Sequence, residues 1–67
     1  MSAVTVNGAG RELPPGTTVS DIVGSLTVSP EGCAVAVNES VVPRSDWPAY
    51  VVEPGDRVEV LTAVQGG

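Results

Sequence analysis

The segment "PPGTTVSDIVGSL", Pro14 to Leu26, decides the fold because it sets one short helix between two groups of strands. Pro14-Pro15-Gly16 breaks any preceding strand. Thr18 is a good N-cap, and Asp21 three residues later makes a variant of the capping box. Val19, Ile22, Val23 and Leu26 fall at i, i+3, i+4 and i+7, one apolar helical face. Gly24 and the "SPEG" run, Ser29 to Gly32, keep the helix short and predict a span of Val19 to Leu26.

Upstream, "AVTVNGAGREL" reads as two short strands around an Asn7-Gly8 turn, since Asn-Gly supplies the positive-φ residues of a tight hairpin. Gly10 predicts a longer or bulged loop there. Downstream, "CAVAV", Cys33 to Val37, alternates larger and smaller apolar residues, as in a strand covered on one face by the helix. Asn38-Glu39-Ser40 turns the chain, and "VVPR" opens a brief return strand that Pro43 ends for want of a ladder donor. "SDWPAY" reads as an irregular or single-turn segment with Ser45 as a candidate cap. In "EPGD", Pro54 and Gly55 take the central positions of a type II turn. "RVEVLTAV" then alternates, with Val58, Val60, Thr62 and Val64 on one face and Arg57, Glu59, Leu61 and Ala63 on the other.

The resulting order is β-β-α-β-β-β. A helical connection brings parallel strands together, so pairing the first strand with the last at the centre buries both valine rows under the helix. The expected class is α+β of the β-grasp type, a mixed sheet of four to five strands packed by one short α-helix. Residues 1–67 are expected to form a single domain with a flexible C-terminal tail at 64–67.

Composition agrees with a small sheet. Fourteen of the 67 residues are valine and none is phenylalanine, and valine's branched side chain suits a pleated surface. The net charge of −5, with three arginines and no lysine, argues against nucleic acid or an anionic membrane as partner. An acidic module docks better on a basic protein surface. No apolar run approaches the length of a bilayer span and no signal peptide is visible, so the cytoplasm is the expected compartment.

The chain offers little chemistry of its own. It has no histidine, no lysine and one cysteine, Cys33, with no cation nearby in sequence to activate it. Metal-site spacings are absent and the carboxylates are scattered singly beside turns and strand ends, so no bound metal or cofactor is expected. What remains is the α-carboxylate of Gly67. A carboxylate becomes an electrophile once adenylated, and for that it must enter another protein's active site. The "GG" end suits a narrow channel, since Gly66 and Gly67 carry no Cβ.

These features together resemble a known family. The run "AVNESVVPRSDWPAYVVEPGDRVEVLTAVQGG", Ala36 to Gly67, is similar to the ThiS family of sulfur carriers in thiamin thiazole biosynthesis. The resemblance rests on Asn38, on Val42-Pro43-Arg44 with Trp47, on Gly55-Asp56, and on Ala63-Val64-x-Gly66-Gly67. The first half matches more loosely, through its strand pair and "GTTVSDIV".

The resemblance implies a β-grasp carrier whose partners do the chemistry. An ATP-dependent activating enzyme adenylates Gly67, and a sulfur donor such as a cysteine desulfurase supplies the sulfur of a C-terminal thiocarboxylate. Thiazole synthase then takes that sulfur, with Gly66 giving clearance in the tail. Carriers for molybdopterin, tRNA thiolation or cysteine biosynthesis share this chemistry. A β-grasp binding module with an inert tail is the alternative outside the carrier class.

Docking residues stay open at this level. Leu61 and Ala63, on the face opposite the valine row, form either an exposed patch or ordinary sheet packing, and Val64 is a further docking candidate. Arg44 and Trp47 form either a partner-facing patch or a Trp closing the core with Arg44 paired to Asp46. The absence of lysine either spares an activated terminus from amine attack or reflects composition bias.

Overall fold

The computed structural model describes residues 2–26 and 32–62. Five strands and one helix occur in the expected order: β1 (Ser2–Val6), β2 (Ala9–Leu13), α1 (Val19–Leu26), β3 (Cys33–Val37), β4 (Ser40–Val42) and β5 (Arg57–Thr62). A 3-10 helix, Arg44–Ala49, lies between β4 and β5. The tail expected at 64–67, with Ala63, lies outside the described residues.

The sheet order is β2-β1-β5-β3-β4. β1 and β5 run parallel at its centre, with Thr5 opposite Arg57 and Val6 opposite Val58. The other three pairings are antiparallel, so the sheet is mixed.

α1 begins as its sequence dictates. The Thr18 N–H donates to Asp21 Oδ2 at 3.0 Å and the Asp21 N–H donates to Thr18 Oγ1 at 3.1 Å, a reciprocal capping box. The Val19 N–H, left without an intrahelical acceptor, donates to the Tyr50 carbonyl at 2.9 Å. The Val52 N–H donates to the Thr17 carbonyl at 3.0 Å, so the helix start is stitched to the segment before β5.

Val19, Ile22 and Val23 of α1 pack on Val4, Val6, Val35, Val37, Val58 and Val60 of the sheet. Among the described residues ten of the twelve buried in the core are valine, and Trp47 is the one large ring. Trp47 is 4% exposed, and its indole N–H donates to the Val42 carbonyl at 3.0 Å. The partner-facing reading of Trp47 is therefore corrected: the ring closes the core under β4.

Two local expectations change, at Gly10 and at Ser45, and the turn at Pro54-Gly55 is as expected. The β1–β2 loop is a two-residue turn, with Val6 opposite Ala9 and Asn7 and Gly8 at φ 52° and 84°. Gly10 sits inside β2 opposite Thr5, because two left-handed residues suffice to close the hairpin. Ser45 lies inside the 3-10 helix, whose N-cap position is Pro43 with no side-chain cap. Gly55 has φ 89°, and the Asp56 N–H donates to the Glu53 carbonyl at 3.0 Å, as the type II turn requires.

Candidate functional site

β5 is the element that carries the chain toward Gly66 and Gly67, and its neighbours hold it on both sides. The Gly55 N–H donates to the Ala3 carbonyl at 2.9 Å, the Thr5 N–H to the Asp56 carbonyl at 3.0 Å, and the Asn7 N–H to the Val58 carbonyl at 2.9 Å. β1 ends at Val6, yet the ladder gains one more rung: the Val60 N–H donates to Asn7 Oδ1 at 2.8 Å. On the other side, β3 pairs with β5 from Val37 opposite Val58 to Cys33 opposite Thr62.

The entry to β5 is locked by Asn38 and Asp56. Asn38 Nδ2 donates to Asp56 Oδ1 at 3.0 Å, and Asn38 Oδ1 accepts the Arg57 N–H at 2.9 Å. Asp56 Oδ2 accepts the Glu53 N–H at 2.8 Å. Asn38 and Glu39 both adopt positive φ, 53° and 73°, to turn β3 into β4. Both Asn38 and Asp56 thus serve the strand's position, a role that needs the fold to be seen.

Alternation along β5 splits its side chains between two faces. Val58 and Val60 point into the core, at 0% and 6% exposure, while Leu61 is 69% exposed on the opposite face. Leu61 is therefore an exposed residue, as the docking reading requires. The register sets Ala34 opposite Leu61, and Ala36 between Glu59 and Val41. Val41 is 77% exposed, so an apolar patch runs over Leu61, Ala34, Ala36 and Val41 on the face away from α1.

Ala34, Ala36 and Val41 were not legible as site residues from sequence. Their signal was the small-large alternation of "CAVAV" and "SVV", which marks a face but not what the sheet places beside it. Glu59 and the ion pair of Arg57 with Glu39, at 3.6 Å, border the patch.

Arg44 is exposed at the start of the 3-10 helix. The ion pair found among the described residues is Arg57–Glu39, so the expected Arg44–Asp46 pair is not formed. Cys33 is half-buried and packs against the core. Among the described residues no cluster of three or more His, Cys, Asp or Glu side chains could hold a metal ion. No described helix is long and apolar enough to cross a membrane. Ala63, Val64, Gly66 and Gly67 lie outside the described residues.

A central parallel pair of first and last strands, one helix across one face and an apolar patch on the other define a ubiquitin-like β-grasp domain. The ThiS family model matches residues 4–67. The sulfur carrier protein ThiS of Escherichia coli is 28% identical over 64 residues, covering 96% of this chain and 97% of that protein. The crystal structure of the thiamine biosynthesis protein ThiS from Geobacter metallireducens superposes with a TM-score of 0.79 at 29% identity, covering 97% of this chain and 99% of that one. A thiazole synthase from Paramagnetospirillum magneticum is 31% identical over 64 residues; the match covers 96% of this chain but 20% of that larger protein. The chain belongs to the ThiS family of sulfur carriers in thiamin biosynthesis.

Proposed function

We propose that the protein carries sulfur for thiazole formation on the carboxylate of Gly67, and that other enzymes make and break every bond at that atom. The observation that supports this most is the held exit of β5, the central strand, beside the exposed patch of Leu61, Ala34, Ala36 and Val41. Residues 64–67, fully extended, reach about 13–14 Å, enough to thread a cleft while the body stays outside.

In the proposed cycle, an activating enzyme directs a Gly67 carboxylate oxygen onto the α-phosphorus of ATP, releasing pyrophosphate. A persulfide sulfur, drawn from cysteine by a desulfurase, then attacks the acyl carbon and AMP leaves. A thiol reductant splits the S–S bond and frees the thiocarboxylate. Thiazole synthase takes the sulfur, which fits the similarity of this chain to part of such enzymes. The carrier itself holds no cofactor, and ATP belongs to the activating enzyme. Gly66 keeps the channel free of a Cβ next to the reacting residue. Leu61, Ala63, Val64 and Arg44 are the proposed docking set.

Intact-mass spectrometry tests the reading. With the activating enzyme, ATP and a sulfur donor, the chain gains the mass difference of one sulfur replacing one oxygen. Removing Gly67 abolishes AMP transfer and leaves the melting curve unchanged. Continued adenylation of the shortened chain would refute the assignment of the terminal carboxylate.

A further inference from the structure

β2 and α1 enclose an open groove of about 340 Å³, with β1 between β2 and the exit strand. Val6, Leu13, Ile22 and Leu26 make its apolar lining, and Arg11 and Asp21 stand beside them. Among the described residues β2 is the outer strand of the sheet and has a partner on one side only. Val6 and Ala9 flank the two-residue turn as a hydrogen-bonded pair, so alternation directs the N–H and C=O groups of Gly10 and Glu12 to the open side. The opposite edge strand, β4, is three residues long and is followed by Pro43. β2 is thus the longer open ladder, and open ladders accept added strands.

A strand added beside β2 sends every second side chain toward the α1 side, into the groove. Charge narrows the choice of occupant. Asp21 is committed to the capping box, whereas Arg11 has no carboxylate within ion-pair distance among the described residues. A second copy fits poorly: two-fold pairing of β2 centred on Arg11 or Glu12 sets like charges opposite each other. Centred on Gly10, it runs into Asn7 and Gly8, whose positive φ is not a strand conformation.

We propose that β2 and α1 form a docking groove for an extended segment of a partner polypeptide. The segment adds a sixth strand at β2, places alternate aliphatic side chains in the groove and sets a carboxylate against Arg11. β1 separates this edge from β5, so a partner held here leaves the exit strand and its patch accessible.

The test is nitrogen-15 NMR on the full 67-residue chain with a capped peptide, Thr-Val-Thr-Val-Thr-Val-Asp, at millimolar concentration. Shifts at Gly10, Glu12 and α1 are expected. N-methylating the peptide amides that face β2 should abolish them without touching the protein's own fold. Arg11→Glu should weaken binding by about two- to five-fold, the range of a single exposed ion pair. Four results would each overturn the proposal. These are no shifts, shifts confined to Leu61, Ala34 and Val41, equal binding with Lys replacing the peptide Asp, and concentration-dependent shifts of Gly10 and Glu12 without peptide. The last would assign the groove to a second copy.

Discussion

Asn7 Oδ1 accepts the Val60 backbone N–H at 2.8 Å, joining the first turn of the chain to the last strand across 53 residues. The bond continues the parallel ladder one step past the end of β1. Asn7→Gly keeps the left-handed turn but loses this rung, and should cost about 1 kcal/mol. Asn7→Ala loses the rung and also asparagine's tolerance of the left-handed region at φ 52°, and should cost about 2–3 kcal/mol. Urea unfolding measures both costs, and amide exchange at Val60 should accelerate in each variant. Unchanged exchange at Val60 would show that the side-chain rung does not hold β5.

Glu39 holds φ 73° in the β3–β4 turn, where glycine sits without strain. Its ion pair with Arg57 is long and solvent-exposed, worth a few tenths of a kcal/mol or less. Relief of strain should win, so Glu39→Gly is expected to stabilise the domain by about 0.5–1 kcal/mol. A melting temperature below that of the parent would contradict this ranking.

The Trp47 indole satisfies the buried Val42 carbonyl while filling the core. Trp47→Phe keeps most of the volume but removes the donor, and should cost about 1–3 kcal/mol. Trp47→Ala also opens a cavity, for about 3–5 kcal/mol, which approaches the whole stability of so small a domain. Denaturant titration separates the two losses. Any defect in sulfur loading should scale with the unfolded fraction, since the ring is not at the surface.

Leu61→Arg and Val41→Arg address the outer face instead. Both side chains are mostly exposed, so stability should change by no more than about 0.5 kcal/mol. Affinity for the activating enzyme should fall about ten-fold or more if this patch is the buried centre of the interface. Wild-type affinity in both variants would remove the patch from the docking set.

Local signals in this chain were readable where their partners are near in sequence. Thr18 and Asp21 cap each other three residues apart, and α1 runs from Val19 to Leu26 as its periodicity predicts. The Pro54-Gly55 turn and the stop at Pro43 are of the same kind. Legibility failed where the deciding partner is remote. Asn7 looked like a turn residue alone, since Val60 is 53 positions away. Asn38 looked like a turn former, though its amide also secures Asp56 and Arg57. Trp47 is an aromatic in a loop-like segment until Val42 and the core are placed above it. For the site, Leu61 followed from alternation, but Ala34 and Val41 joined it only through sheet register.

Among the described residues β5 is the last strand in sequence and the middle one in space. During synthesis the chain therefore first holds two separate hairpins, β1–β2 and β3–β4, with nothing to zip them into one sheet. Isolated hairpins are marginal in water, so the domain should stay open until residues 57–62 have left the ribosome. An incomplete chain that lacks β5 would then present no folded surface to any partner. In this architecture, folding itself certifies that translation has passed residue 62.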